Sequence, residues 1–333
     1  MGDTMGKYFY SFLIYCIFVL LIIPVVIIGI SKERFENINA AGEDVSSKDK
    51  NFYGISLKPF KENEVIFELG EKTILEEYII GVVAAEMPAL FNMEALRAQA
   101  VAARTYAINQ MAANNTDIEG MIFGGSQAYN TIEEMKRKWG NNFDEYYEKI
   151  EIAVLSTATE IIVYNDEPIL AVFHAISRGK TETSDNIWSQ SLPYLKSVES
   201  EMDVNALEYI HDVKIPVKTV AALLQEADST LKLYDGNLKE QMQVVSKTEA
   251  GYIDTIQVGN VTFSGRQIRE ILELRSTDFT VKQEGTDMIF TTSGYGHGAG
   301  MSQYGANFMA EDGKTYKEIL EHYYFDIQFR KIT

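Results

Sequence analysis

The chain has 333 residues, enough for one large domain or two ordinary ones, and 46% of them are hydrophobic, which suffices to bury a core. A net charge of −18 disfavours nucleic acid as a partner. The single cysteine, Cys16, excludes any disulfide and any thiolate metal site from the rest of the chain.

The N-terminus contains a long uncharged segment. Residues 8–30 hold no charged side chain, and about 20 apolar residues suffice for a helix to cross a bilayer. We therefore predict a short N-terminal stub and a transmembrane anchor over residues 1–31. A cleaved signal peptide is the alternative, but its apolar region would be shorter, and the charged residues 32–34 do not resemble a cleavage site.

The polar residues 32–50 predict a flexible tether, and residues 51–333 a folded region. Flanking charge does not orient the anchor, because Lys7 precedes it while Lys32 and Arg34 follow it.

The folded region is predicted to be α+β, with helices early, small sheets late and a cleft that holds the site. Its first part is a helical core at about 73–113, made of one helix that Pro88 ends and a second that begins at the N-cap Asn92. The remaining predictions follow in chain order: β-structure at 51–72, a solvated helix at 130–150, a helix and strands at 145–175, a polar helical stretch at 210–240, a β-rich part at 242–292 with one helix at 264–274, and a glycine-rich loop with two helices at 293–325.

Glu86 is the most informative residue of the first helix. At 100° per residue it lies on the same apolar stripe as Ile79 and Val82, whereas Glu76 and Glu77 are predicted to face solvent. Burial and the negative end of the helix dipole both raise the pKa of a carboxyl group placed there. Glu86 is thus a candidate general acid. The alternative is a structural pair with a buried arginine.

The second helix is rich in alanine, so neighbouring elements can approach it closely. Its polar residues lie on two faces, Gln99 with Tyr106 and Arg97 with Arg104. Such residues lie either at the surface or at a site, and Arg104 is one candidate partner for Glu86.

Two later segments combine glycine with polar side chains. Residues 173–183 follow an apolar strand and contain His174, a placement typical of the edge of a site. Residues 293–306 alternate glycine with other residues before a helix, but they lack the Gly-Lys-Ser/Thr ending of a phosphate loop. This indicates a backbone that closely approaches a ligand.

Taken together, four segments resemble the stage II sporulation protein D family. They are LEEYIIGVVAAEMP at 75–88, EALRAQAVAARTY at 94–106, the second signature at 174–198, and GHGAGMSQYGA at 296–306. The resemblance covers roughly residues 60–325 and includes the N-terminal anchor.

The resemblance implies a peptidoglycan lytic transglycosylase that cleaves peptide-stripped glycan strands between MurNAc and GlcNAc, with Glu86 as the catalytic acid. One carboxyl group would suffice, because the C6 hydroxyl of the sugar, rather than water, attacks C1. Further residues are expected to line the cleft and bind substrate: Gln99, Arg104, Tyr106, His174, Ser177, Thr181, His297, Ser302 and Gln303.

No cofactor or metal is expected. Some relatives carry zinc-binding Cys and His residues before a Gln-x-Tyr, and the matching stretch at 121–129 has neither. A site made by His174 and His297 is the alternative.

The resemblance also implies a role in engulfment during endospore formation, with a peptidoglycan amidase and a membrane scaffold protein as partners. A wall substrate would place the N-terminus in the cytoplasm and the catalytic region outside. Two other functions stay open: a non-catalytic wall-binding module related to amidase enhancers, and a metal-dependent hydrolase.

Overall fold

A computed structural model describes residues 57–59, 72–125, 127–188 and 190–332. Within these ranges no helix is both long and apolar enough to span a bilayer. The predicted anchor (1–31) and tether (32–50) lie outside the described residues.

The described part is α+β, as predicted. Its α-helices are α1 (Ile74–Glu86), α2 (Met93–Asn114), α3 (Ile118–Gly124), α4 (Ile132–Trp139), α5 (Phe143–Leu155), α6 (Ser184–Trp188), α7 (Val217–Ala227), α8 (Gly265–Ile271), α9 (Gln303–Glu311) and α10 (Tyr316–Tyr323). Its strands are β1 (Leu57–Pro59), β2 (Glu160–Tyr164), β3 (Glu167–Pro168), β4 (Phe173–His174), β5 (Ile210–Pro216), β6 (Met242–Lys247), β7 (Ile253–Val258), β8 (Val261–Ser264), β9 (Phe279–Glu284), β10 (Asp287–Ser293), β11 (Met301–Ser302) and β12 (Gln328–Ile332).

The strands form small sheets. Three of these are antiparallel, with strand orders β1-β12-β2-β3, β5-β10-β9 and β6-β7-β8. The fourth is a parallel pair, β4 with β11, which joins the second signature to the glycine-rich segment.

Two hydrophobic cores organise these elements. The first surrounds α2, whose alanines between Ala95 and Ala107 are completely buried, so that α1, α5, α9, α10 and β2 pack directly on it. The second core lies among α7, α8 and strands β5 to β10. The glycine-rich segment at 293–300 connects β10 of the second core to β11, which packs with the first.

Both helices of the predicted helical core are confirmed. Thr73 caps α1 and accepts from Glu76 N, and Asn92 caps α2 and accepts from Glu94 N at 3.0 Å. The expected β-runs around a helix at 264–274 are also present, as is the pair of C-terminal helices.

Two predictions of secondary structure were wrong. The stretch 210–240 was expected to be helical, but it begins with β5, which pairs with β10 along seven residues. Alternate residues of β5 are exposed, which is the period of two expected of a strand. The polar residues of β5 obscure this pattern in the sequence. The predicted solvated helix at 130–150 is two helices, α4 and α5, separated at Gly140.

Candidate active site

Glu86 is the last residue of α1, where the helix ends because Met87 adopts an extended conformation ahead of Pro88. Its carboxylate is partly exposed and accepts two hydrogen bonds. Ala128 N–H donates to Oε1 at 3.0 Å, and Gln303 Nε2 donates to Oε2 at 3.4 Å. Three distant parts of the chain therefore meet at this side chain.

Desolvation raises the pKa of Glu86 above the ordinary value of a glutamate. The hydrogen bonds from Ala128 and Gln303, and the positive charge of Lys138, act in the opposite direction but are outweighed. Lys138 is held nearby, because its ammonium donates to Ala84 O at 3.0 Å. The carboxyl group is thus biased toward the protonated form that a general acid requires.

Gln99 and Tyr106, both predicted as site residues, lie on α2 beside this carboxyl group. Gln99 Oε1 accepts from Gln303 Nε2 at 3.4 Å, while Gln99 Nε2 is buried and has no hydrogen-bond partner within the described residues. The pKa of Tyr106 is raised by burial and by the charge of Glu86. The structure therefore brings together Glu86, Gln99, Tyr106 and Gln303.

Arg104 does not join this group. It is completely buried, and its guanidinium donates to both oxygens of Glu76, at 2.6 Å for the shortest contact, and to the carbonyls of Val154 and Glu160. The structure therefore places Arg104 in a buried ion pair, and its role in binding substrate stays a prediction. Glu76, which was predicted to face solvent, is 1% exposed, and it is the carboxylate that pairs with the buried arginine in place of Glu86.

Three other predicted ligands are buried in internal contacts. Ser302 Oγ donates to Asp203 Oδ2 at 2.7 Å, and Ser177 N–H donates to the same oxygen at 2.7 Å. Thr181 Oγ1 accepts from Val198 N at 2.9 Å. These residues fix the backbone around the site, and their contact with substrate stays a prediction.

His174 and His297 form a second group. Their rings are 5.7 Å apart, and His297 makes an edge contact with Trp188 at 5.3 Å. Burial, more than any charge, lowers the pKa of His174 to about 3 and that of His297 to about 4, so both imidazoles are neutral at pH 7. His297 lines a cavity of about 200 Å³.

The two rings carry their protons on different nitrogens. His174 Nδ1 lies 3.0 Å from Ala299 O, which can only accept, so this nitrogen carries the proton. His297 Nδ1 instead accepts from Ala299 N at 3.1 Å. In the part of the chain that the structure describes, no group of three or more His, Cys, Asp or Glu side chains is arranged to hold a metal ion.

Three participants were missed from the sequence. The stretch around Ala128 resembles a family segment, and this resemblance is the one sequence signal that it approaches the site. Lys138 was included in a solvated helix. Nothing in the local sequence distinguishes Asp203, whose role depends on contacts with residues 26 and 99 positions away.

Comparison with known proteins gives a consistent result. A family model described as stage II sporulation protein matches residues 67–164, which include Glu86, Gln99 and Ala128. The stage II sporulation protein D of Bacillus subtilis is 36% identical over 93% of this chain and 91% of its own length, and that of Bacillus amyloliquefaciens is 39% identical over 76% and 73%. The amidase enhancer of Bacillus subtilis is 26% identical over 73% of this chain and 39% of its own length.

Proposed function

The chain belongs to the stage II sporulation protein D family, and we propose that it is a lytic transglycosylase that cleaves peptide-stripped peptidoglycan glycan strands between MurNAc and GlcNAc. The observation that carries this proposal is the half-buried carboxyl group of Glu86, whose pKa is raised by desolvation at the end of α1.

In the proposed reaction Glu86 donates its proton to the glycosidic oxygen as the bond to C1 breaks. The C6 hydroxyl of the same sugar attacks C1 and returns a proton to Glu86, and the product carries a 1,6-anhydro ring. Hydrolysis by the usual route needs a second carboxylate that serves as a base or nucleophile. Within the described residues Glu86 is hydrogen-bonded to an amide N–H and an amide side chain, which fits an acid that works without such a partner.

The neighbouring groups have supporting roles in this proposal. Gln303 donates to Glu86 and Gln99 together, so it orients the carboxyl group against α2. Gln99 Nε2, which has no partner among the described residues, is a donor available for a rearranged hydrogen bond when substrate binds. Tyr106 keeps its proton, since burial raises its pKa, and can donate to a sugar oxygen.

We further propose that the protein acts outside the cytoplasm, tied to the membrane by the segment at 8–30, in wall remodelling and engulfment during sporulation. The uncharged length of that segment supports an anchor. The family name supports a sporulation role. A peptidoglycan amidase and a membrane scaffold protein are the proposed partners, by resemblance alone.

Purified glycan strands freed of peptides provide the test. Replacing the acid, Glu86→Gln, should reduce the rate of anhydro-ended product formation by about 10²-fold or more, which is the usual contribution of a general acid. Glu77→Gln, an exposed change on the same helix, is the matched control and should keep full activity.

An undiminished rate in Glu86→Gln would show that the acid assignment is wrong. If the wild-type protein binds the strands but releases no product, the amidase-enhancer alternative is favoured, for which the similarity to the amidase enhancer is the specific observation.

A further inference from the structure

The cavity beside His297 contains an arginine that has no acidic partner among the residues that the structure describes. The cavity of about 200 Å³ is lined by Ile187, Trp188, Arg266, Arg269, Glu270, Thr277 and His297. Arg269 is partly buried, and its Nε donates to Arg275 O at 3.3 Å. Among the described residues no carboxylate lies within ion-pair distance of the Arg269 guanidinium.

The other charges at the cavity do not neutralise Arg269. Glu270 is paired with Arg266, whose Nε donates to it at 2.7 Å, and Arg266 also donates to Ile187 O at 2.6 Å. His297 is neutral at pH 7, because burial and the nearby Arg269 lower its pKa to about 4. One uncompensated positive charge therefore remains.

An unpaired guanidinium in a partly desolvated cavity is costly unless an anion occupies it. Desolvation lowers the pKa of Arg269, which reflects this cost. A guanidinium presents a planar fork of donors that matches a carboxylate bidentately. The cavity is therefore suited to one carboxylate.

The same cavity offers an apolar surface. Trp188 is 36% exposed, and its ring is fixed by the edge contact with His297. Ligand sites commonly combine such an aromatic wall with a few convergent polar groups. A ligand that presents a carboxylate next to an apolar ring face fits both features, and a sugar substituted with a carboxylic acid has this character.

One residue that lines the cavity, His297, is also close in sequence to a residue that contacts the catalytic carboxyl group. Gln303, the partner of Glu86, is six positions after His297, and six extended residues span at most about 21 Å. This length bounds how far the cavity can lie from the residue that holds Glu86.

We propose that Arg269, with Trp188 as a stacking wall, binds the free lactyl carboxylate of a peptide-stripped MurNAc unit. This rests on the proposed function. A lactyl group still joined to peptide is a neutral amide and offers Arg269 no negative charge, so the cavity distinguishes stripped from substituted glycan by charge.

The test measures binding of two tetrasaccharides of alternating GlcNAc and MurNAc to the full-length chain carrying Glu86→Gln, which prevents turnover. One ligand has free lactyl carboxylates, and the other has them as neutral methyl amides. The free acid should bind about tenfold more tightly, since charge-assisted hydrogen bonds are roughly twice as strong as neutral ones. Arg269→Gln should remove this difference and leave the affinity for the methyl amide unchanged, which also verifies folding.

Two further variants sharpen the result. Trp188→Ala should weaken the binding of both ligands by the same factor, because stacking on the indole ring does not depend on the charge of the lactyl group. Arg330→Gln, which removes an arginine that is paired with Asp166 outside the cavity, is the control and should keep the tenfold preference.

Equal affinities of the free acid and the methyl amide in the parent protein, or an unaltered preference in Arg269→Gln, would overturn the proposal. So would displacement of the tetrasaccharide by equimolar D-lactate or inorganic phosphate, which would mean a general anion site. Cleavage of peptide-free glycan by the wild-type chain tests the proposed function separately, so failure of one is distinguishable from failure of the other.

Discussion

The protonation state of Glu86 results from opposed contacts at a single residue. Desolvation favours the neutral acid, whereas Ala128 N–H, Gln303 and Lys138 favour the carboxylate. Glu86 must be protonated to act as a general acid. Activity should therefore be highest below its raised pKa and fall as the pH rises through that pKa. The falling limb is expected above about 4.3, the ordinary value for glutamate.

Lys138→Gln tests this account of the pKa. Removing the ammonium removes a charge that stabilises the Glu86 carboxylate, so the pKa should rise and the falling limb of the pH–rate profile should move to higher pH. Lys136→Gln, an exposed lysine on the same helix, is the control and should leave the limb in place. The measurement is kcat against pH on peptide-free glycan.

A limb that does not move in Lys138→Gln would contradict the electrostatic role of Lys138. A wild-type limb near 4.3 would contradict the desolvation argument itself.

At the scale of elements, the position of Glu86 depends on how α1 is fixed. Glu76 lies at the other end of α1 and pairs with Arg104 of α2, and its Oε1 also accepts from Thr159 N at 3.0 Å. Thr159 has a positive φ of 67° immediately before β2. One buried carboxylate thus connects two helices and the start of a strand.

Glu76→Gln should therefore be strongly destabilising. It leaves the Arg104 charge buried without a counter-ion, and breaking a buried pair in this way costs about 3–5 kcal/mol. Urea unfolding followed by circular dichroism measures the effect. Glu77→Gln makes the same chemical change one residue away on the exposed face and should unfold close to the wild type. Equal midpoints for the two variants would contradict the structural role of Glu76.

A second contact fixes the C-terminal half of α1. A Cβ at Gly81 would lie 2.2 Å from the Tyr129 ring and 2.9 Å from Asn130 O. Residues 128–130 are held against the helix there, and Asn130 N donates to Gly81 O at 3.1 Å. The absence of a side chain at Gly81 therefore permits the hydrogen bond from Ala128 to Glu86.

Gly81→Ala should push this segment away from α1 and lengthen the contact between Ala128 N and Glu86 Oε1. We expect a loss of activity of about fivefold or more, because loss of one well-placed donor costs at least about 1 kcal/mol. Helical content measured by circular dichroism should be retained. Unchanged kcat with a folded protein would show that the segment does not position Glu86.

The helices of the first core could be predicted from sequence because their signals are local. Thr73, Asn92 and Pro88 mark the ends of α1 and α2, and the stripe that carries Glu86 follows the helical period. The same helical period led to the wrong prediction that Glu76 faces solvent. Because α1 is buried on several sides, one apolar face does not identify every inward-facing residue.

The whole molecule brings the site together from distant parts of the chain. Gln303 is 217 residues from Glu86, and Asp203 joins Ser177 to Ser302 across 99 residues. Burial raises the pKa of Asp203, and donors from three segments hold it. No local pattern encodes such contacts, so Asp203, Lys138 and Arg269 could not be proposed from sequence. Gln99 and Gln303 could be proposed only because they lie in segments that resemble the family.

The reaction type is a property of the whole site. The most direct test is to cleave peptide-free glycan in water enriched in heavy oxygen and to measure the masses of the products by mass spectrometry. Attack by the C6 hydroxyl should give new ends that carry the 1,6-anhydro ring and lack the label, and these ends should be lost in Glu86→Gln. Reducing ends that contain heavy oxygen would show attack by water and contradict the assignment of a lytic transglycosylase.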